Sequence, residues 1–455
     1  METNLIFDYE KEPSRDILCL DCKSFYASCE AVERGLDPLT VKLVVMSYPS
    51  DNTRERGSGL ILASSPEAKK AYNISNVSRA RDLPFPYPDD LVIAAPRMNL
   101  YMQVNRKINS IYREFVDDSN IAVYSVDETF LDVTDSLKYF NCDRAYDLAR
   151  IIQRRVYEET GIFTTVGIGD NPLLAKLALD NESKKNKDMK AEWRYADVAS
   201  KLWPITDITD IWGIGHRTAI RLKNLGIETM HDLAHFNYYK LKAEMGVIGA
   251  QLYAHAWGID RSFIGEVYVP KSKSVGNSQV LNRDYNKRDE IEIVLRELSD
   301  QVATRLRKID KKTTSVSLWI GYSLKYVDDE GRSGFSKQIA IKPTNSSQKI
   351  AEAVLAIFNQ FYYGQTIRNI GINTAKLETP NTQQLDLFDN VENQDQEDDF
   401  NAVVDEIRRK HGFTKLVYTS SLLEGGRAIA RSSLVGGHAG GMSGIEGVRD
   451  DEQED

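Results

Sequence analysis

Tyr124-Ser125-Val126-Asp127-Glu128-Thr129-Phe130-Leu131-Asp132 sets two adjacent carboxylates inside a run that otherwise suits a strand. Upstream, Ile121, Val123 and Ser125 alternate with Ala122, Tyr124 and Val126; downstream, Phe130, Leu131 and Val133 resume the apolar pattern. The spacing predicts a buried hairpin with acids at its tip. Two ionised side chains there repel each other, and a low-dielectric setting penalises both. A divalent cation removes that cost, and oxygen ligands suit magnesium. An isolated Asp-Glu pair is also compatible with a solvated turn. A second stretch far upstream argues against that.

Ile17-Leu18-Cys19-Leu20-Asp21 reads as a short buried strand ending on an acid, and Cys22-Lys23-Ser24-Phe25-Tyr26-Ala27-Ser28-Cys29-Glu30 continues it into a helix. Ser24 is the expected N-cap, ahead of Ala27, Ala31 and Val32. An acid at the end of a central strand, beside an acidic hairpin, builds a cage of three carboxylates: Asp21, Asp127 and Glu128. Two cations held there can clamp the attacking and leaving oxygens of a phosphoryl displacement.

At 455 residues the chain exceeds the usual size of one hydrophobic core, so several domains are expected. Its 42% hydrophobic and 27% charged content is that of a soluble globular protein. No apolar run is long enough for a membrane span, and Met1-Glu2-Thr3-Asn4 opens no secretion signal, so a cytoplasmic setting is expected. Cys19 and Cys22 have CxxC spacing, but strand residues three apart face opposite ways, which disfavours zinc or a redox pair. The net charge of −9 argues against nucleic acid only until it is partitioned. From Glu378 onward 17 acids face 7 Lys/Arg, a net of −10, which leaves +1 for the rest of the chain. A near-neutral body with basic patches can hold a phosphate backbone.

Asp-x-x-x-Phe-Tyr-Ala-Ser-x-Glu, from Asp21, and Ser125-Val126-Asp127-Glu128-Thr129-Phe130-Leu131-Asp132 resemble the first and third signatures of Y-family translesion DNA polymerases. The Phe-Tyr-Ala-Ser-Cys-Glu wording is similar to the UmuC-like (ImpB/MucB/SamB) branch. The resemblance covers roughly Ile17 to Leu377. It implies an α+β multidomain fold of the polymerase right-hand type: a catalytic palm (16–25 and 92–204), small fingers (26–91), a helix-hairpin-helix thumb (205–265), a basic little finger (271–377) and a disordered acidic tail (378–455), within which Phe400 to His411 has the pattern of one short amphipathic helix ahead of Gly412. It also implies a DNA-directed DNA polymerase that extends primers across damaged template in DNA repair and SOS mutagenesis. Primer-template DNA and dNTPs would be its partners.

The resemblance assigns Asp21, Asp127 and Glu128 to two Mg2+ ions, with the Cys22 backbone carbonyl completing one shell. Tyr26 matches the steric gate that excludes a ribose 2′-hydroxyl, and Phe25 would pack beneath the nucleotide. Ser65-Pro66-Glu67 announces a helix start. Lys69 lies one turn inside and matches a basic residue that touches the triphosphate; Pro66 departs from the family at a position often aromatic or small. Val166-Gly167-Ile168-Gly169, Leu174-Ala175-Lys176-Leu177-Ala178 and Ser183-Lys184-Lys185 resemble a further signature whose last lysine contacts the triphosphate. One extra residue in the spacing leaves two choices, Lys184 first and Lys185 second; Lys176 is expected to pack its stem and support the palm.

Gly213-Ile214-Gly215, followed by Arg217 and an Ala-Ile-Arg-Leu helix, resembles a helix-hairpin-helix whose glycines let backbone N–H groups meet a DNA phosphate. Residues 271–377 carry 18 Lys/Arg against 11 Asp/Glu, with helices and strands that suit a four-stranded sheet covered on one face. Lys271 and Lys273 lead the candidates for template contacts, with Arg283, Lys311, Lys312 and Lys337 behind them. Gln384-Leu385-Asp386-Leu387-Phe388, inside the acidic tail, resembles the pentapeptide that binds the bacterial sliding clamp through Gln384, Leu385, Leu387 and Phe388. Met1 to Arg15 is polar and expected to be loosely held. Two rival readings are a palm-fold nucleotidyl cyclase, which would turn over nucleotide without primer, and a non-catalytic, clamp-tethered DNA-binding protein.

Overall fold

Ile17–Cys22 (β1) buries Ile17, Leu18, Cys19 and Leu20 completely, a pattern that only an interior strand produces. It belongs to a computed structural model that describes residues 5–47, 56–57, 59–75, 78–266, 269–270, 272–324, 326–328, 330–379, 391–435 and 438–439. The chain separates into two units, Met1–Val267 and Tyr268–Asp455.

In the first unit β1 runs into Phe25–Glu33 (α1). Leu43–Met46 (β2), Ile61–Ser64 (β3) and, after Pro66–Tyr72 (α2), Val92–Ala94 (β4) form a three-stranded sheet of order β3-β2-β4. Met98–Tyr112 (α3) precedes the expected hairpin, Ile121–Val123 (β5) and Glu128–Asp132 (β6). Ala145–Thr160 (α4), Thr164–Gly169 (β7), Pro172–Asn181 (α5) and Lys190–Trp193 (β8) follow. These strands build a five-stranded sheet of order β5-β6-β1-β7-β8, antiparallel except for the last pair. Because β1 lies between β6 and β7, its terminal acid has no choice of neighbour: Asp21 stands in register with Glu128.

α5 lies unusually close to this sheet. A Cβ on Gly167 would come 2.0 Å from the Ala175 carbonyl oxygen, and one on Gly169 would come 2.4 Å from the Ala175 nitrogen. Only glycine permits that approach.

His216–Asn224 (α6), Met230–His235 (α7), Tyr238–Met245 (α8) and Val247–Ala256 (α9) share a core of Leu222, Ile227, Met230, Leu233, Leu241 and Leu252. The N-terminal segment corrects the expectation of loose ends. Phe7 and Tyr9 pack on this helical core, Tyr253 Oη donates to the Leu5 carbonyl (2.7 Å), and Tyr195 Oη donates to the Pro13 carbonyl (2.9 Å). Its polar composition hid two half-buried aromatic anchors. Ser24 also differs in detail: it holds the N-cap position with φ of +50° and no side-chain capping bond.

In the second unit Val275–Tyr285 (β9), Lys312–Tyr322 (β10), Gly334–Thr344 (β11) and Ile367–Glu378 (β12) form an antiparallel sheet of order β11-β10-β12-β9. Arg288–Lys308 (α10) and Ser347–Phe361 (α11) bury Leu295, Leu298, Val302, Val354 and Phe358 against its Val316, Leu318, Ile320 and Ile370. Arg283, an expected template contact, donates to Glu290 (2.6 Å) and lies over Tyr285.

The tail carries the amphipathic helix that Phe400 to His411, with Gly412 after it, suggests, and that helix begins earlier in the chain. Val391–His411 (α12) ends at Gly412, where φ is +88°. Arg408 pairs with Asp300 of α10 at 2.8 Å, Arg307 with Asp405 at 2.6 Å, and the Arg427 N–H donates to Glu297 at 2.9 Å. Charged residues of α10, of both signs, thus find partners in the tail, which composition alone could not show. Both side chains of the Arg408–Asp300 pair are over nine-tenths buried, so removing one strands the other. Asp300→Ala is expected to destabilise this unit by about 3 kcal/mol, the lower end for breaking a buried pair. Faster tryptic cleavage at Arg408 and Arg409 of the full chain would report it. Lys271 and the Gln384–Phe388 motif lie outside the described residues.

Candidate active site

Asp21 reaches the end of β1 because the four apolar residues before it fill the sheet interior. Beyond Val123 the chain turns through Ser125, whose hydroxyl donates to Asp127 Oδ1 (2.7 Å), and re-enters the sheet at Glu128. The Cys22 N–H donates to the Asp127 carbonyl (2.8 Å), tying the turn to the end of β1. α3 steadies the hairpin from behind: Asn105 Nδ2 donates to the Val126 carbonyl (2.6 Å), and Thr129 Oγ1 donates to Asn109 Oδ1 (3.1 Å). The three acids expected together therefore come to the same end of the sheet.

They are not gathered into a finished cage. Among the described residues no three His, Cys, Asp or Glu side chains are grouped as metal ligands. Both Glu128 carboxylate oxygens already have partners: Oε2 accepts from Lys176 Nζ (2.8 Å) and Oε1 from Cys19 Sγ (3.2 Å). Asp21 Oδ2 lies 3.3 Å from Lys184 Nζ. Burial pushes the Asp21 carboxyl up to about 6; Lys184 opposes the shift, while Asp127 and Glu128 add to it. Burial would lower the Lys184 ammonium, but Asp21 and Asp180 outweigh it and hold its proton.

Lys184, the first of the two lysine choices, faces the acids; Lys185 lines a separate hollow with Glu182, Trp193 and Lys201. Lys176 does more than support the sheet, since it bonds Glu128 directly. Lys69 is half-buried with its ammonium proton loosened by burial, and Asp21, Lys184 and Lys23 all act on it electrostatically. Three lysines thus feel the Asp21 charge, with Lys184 in direct contact. Lys23 was not anticipated, though its place two residues after the acid was the available signal.

Phe25 is buried as core, whereas Tyr26 is partly open beside Asp127, and burial followed by that charge raises its hydroxyl pKa. The Tyr26 ring stacks on Tyr101 at 4.5 Å and 15°. Tyr101 Oη donates to Glu30 (2.8 Å), which is itself clamped by Arg97 (2.9 and 2.8 Å). Spacing gave no hint of this stack, because Tyr101 reads as an ordinary member of the α3 apolar stripe.

Gly213, Gly215 and Arg217 are exposed at the start of α6, whose N-terminus has no side-chain cap. A Cβ at either glycine would meet nothing within 4 Å, so the hairpin surface is open; φ of +90° accounts for Gly213. Lys273 is exposed just before β9 in the other unit.

Residues 20–180 match the model of the impB/mucB/samB family, residues 272–387 its C-terminal domain, and residues 209–260 the DNA polymerase-iota thumb domain. A Bacillus subtilis protein named for UV-damage repair, UvrX, is 40% identical over 95% of this chain and 100% of its own length. DNA polymerase IV 2 of the same organism is 34% identical over 93% of this chain and 98% of its own. A chimeric Y-family DNA polymerase of known structure superposes with a TM-score of 0.62 at 22% identity, covering 80% of this chain and 99% of that one, which speaks for the fold alone.

Proposed function

Because this chain belongs to the Y-family DNA polymerases, in their UmuC-like impB/mucB/samB branch, and is a translesion DNA-directed DNA polymerase of DNA repair, we propose that Asp21, Asp127 and Glu128 are its catalytic carboxylates. One observation carries this reading: the register that sets Asp21 opposite Glu128, with the Asp127 turn bonded to Cys22. The five-stranded sheet is then the palm, the three-stranded sheet with α1 and α2 the fingers, α6 to α9 the thumb, and the second unit the little finger. Among the described residues no helix is long and apolar enough to cross a membrane.

Members of the family generally depend on divalent metal, and a two-metal mechanism is general among them. The donor set is of the hard-oxygen kind that suits two Mg2+ ions: three carboxylates at one end of the sheet, to which the Cys22 carbonyl would add a further oxygen. Magnesium bound there supplies Lewis acidity toward the primer 3′-hydroxyl and neutralises charge on the leaving pyrophosphate. The chain's own groups do the rest. Lys69 and Lys184 face the triphosphate oxygens as fixed positive charge, and Phe25 supports the nucleotide from the core. Gly213, Gly215 and Arg217 grip the backbone of the primer-template duplex without reading sequence. Lys271 and Lys273 hold the template strand, and Gln384, Leu385, Leu387 and Phe388 tether the enzyme to the bacterial sliding clamp in a cytoplasmic SOS response.

Tyr26 is the sugar gate, held upright by Tyr101. Tyr26→Ala is expected to raise ribonucleotide insertion relative to deoxyribonucleotide by about 10- to 200-fold, the range of one small steric contact. Unchanged discrimination in single-nucleotide kinetics would reassign the ring to packing. Primer extension by the purified chain on undamaged and abasic templates, with and without clamp, tests the whole reading. Failure to insert on either template would overturn it, and indifference to the clamp would remove the tether.

A further inference from the structure

Asp180, near the C-terminal end of α5, stands between the two lysines that touch the proposed metal ligands. Its Oδ2 accepts from Lys176 Nζ at 3.0 Å and its Oδ1 from Lys184 Nζ at 2.8 Å. Lys176 directs a second bond to Glu128 Oε2 at 2.8 Å, and Lys184 lies 3.3 Å from Asp21 Oδ2. Glu128, Lys176, Asp180, Lys184 and Asp21 therefore form one chain of alternating sign across the mouth of the site. Sequence spacing makes the hub possible, because Asp180 is four residues from each lysine and shares their side of the chain. The Lys176 side chain is only 9% exposed, so its charge needs partners wherever it points.

We propose that Asp180 is a positioning residue that shares both ammonium groups with the site acids: it keeps Lys184 from closing on Asp21 and offsets the bond Lys176 already makes to Glu128, so that a divalent cation can displace both lysines. The inference rests on the reading of Asp21, Asp127 and Glu128 as metal ligands. Without the Asp180 charge, each lysine has a single acid left, and that acid belongs to the site. A cation must then compete with two tightened ion pairs, and Lys184 is drawn away from the nucleotide. Groups that orient metal ligands alter metal affinity by about 10- to 100-fold when removed.

Mn2+ titration of the DNA-free full chain by calorimetry reads this without turnover, alongside the dNTP KM and kcat and the melting temperature. Asp180→Asn is expected to weaken Mn2+ binding by about 10- to 100-fold and to raise the dNTP KM more than it lowers kcat. Asp180→Glu, whose carboxylate can still reach both lysines, is expected to restore most of both. Lys184→Gln, at a position whose side chain is 41% exposed and which should fold whether or not the Asn variant does, is expected to bind Mn2+ more tightly than the parent while raising the dNTP KM. A lowered melting temperature with parental Mn2+ affinity in Asp180→Asn overturns the proposal, as does parental or weaker affinity in Lys184→Gln. Asp127→Ala separates the two levels. If it keeps Mn2+ binding and extension, the ligand assignment is wrong; if it loses both while Asp180→Asn binds like the parent, only the role of Asp180 is wrong.

Discussion

Asp127→Ala is expected to lower nucleotide insertion by about 10³-fold or more with the fold intact. The side chain's bond is to Ser125 within its own turn, and the link to β1 runs through the backbone carbonyl, which alanine retains. Little stability is therefore at stake. What disappears is one of the few oxygens able to hold a cation against the reacting phosphate. Such a contact supplies several kcal/mol of transition-state stabilisation, and about 1.4 kcal/mol corresponds to each factor of ten. Single-turnover insertion with a melting curve on the same sample measures both quantities. Near-parental insertion in the alanine variant would dissolve the site.

Gly167→Ala is expected to have the largest effect on stability, about 3 kcal/mol or more, and to take activity with it. The added methyl would sit 2.0 Å from the Ala175 carbonyl oxygen and 2.4 Å from the Leu179 nitrogen, both backbone atoms of α5 that cannot rotate aside. Overpacking of this kind costs about 1–3 kcal/mol even where side chains can yield, and more where backbone must shift. Moving α5 displaces Lys176, Asp180 and, through the turn after it, Lys184. Gly215→Ala is the natural control, since its methyl meets nothing and its φ of −83° suits any residue. Equal melting temperatures for the two alanine variants would contradict the close approach of helix and sheet.

The acids, both strands that carry them, the N-cap at Ser65, the two glycines before α6 and the sheet-and-helix pattern of 271–377 were all legible in the chain. Each is a local property: an alternation, a cap or a turn residue within about ten positions of its neighbour. The motif order added the family and with it the expected chemistry. Other features were invisible for one shared reason. Whether Lys184 or Lys185 meets Asp21 depends on how α5 ends against the sheet, not on which lysine comes first. Tyr101 became the support of Tyr26 because α3 crosses behind α1, although its spacing marks it only as core. The polar N-terminus and the acidic tail both looked unattached, because their anchors, Tyr9 on Tyr195 and Arg408 on Asp300, are single residues whose partners lie far along the chain.

Local pattern thus determined which segments became strands and helices and which acids would stand at strand ends, since backbone periodicity and apolar burial act over a few residues. Only the tertiary structure decided which charge pairs with which. Register and helix approach bring together residues such as Cys19 and Glu128, 109 positions apart, and an ion pair depends on distance in space rather than along the chain.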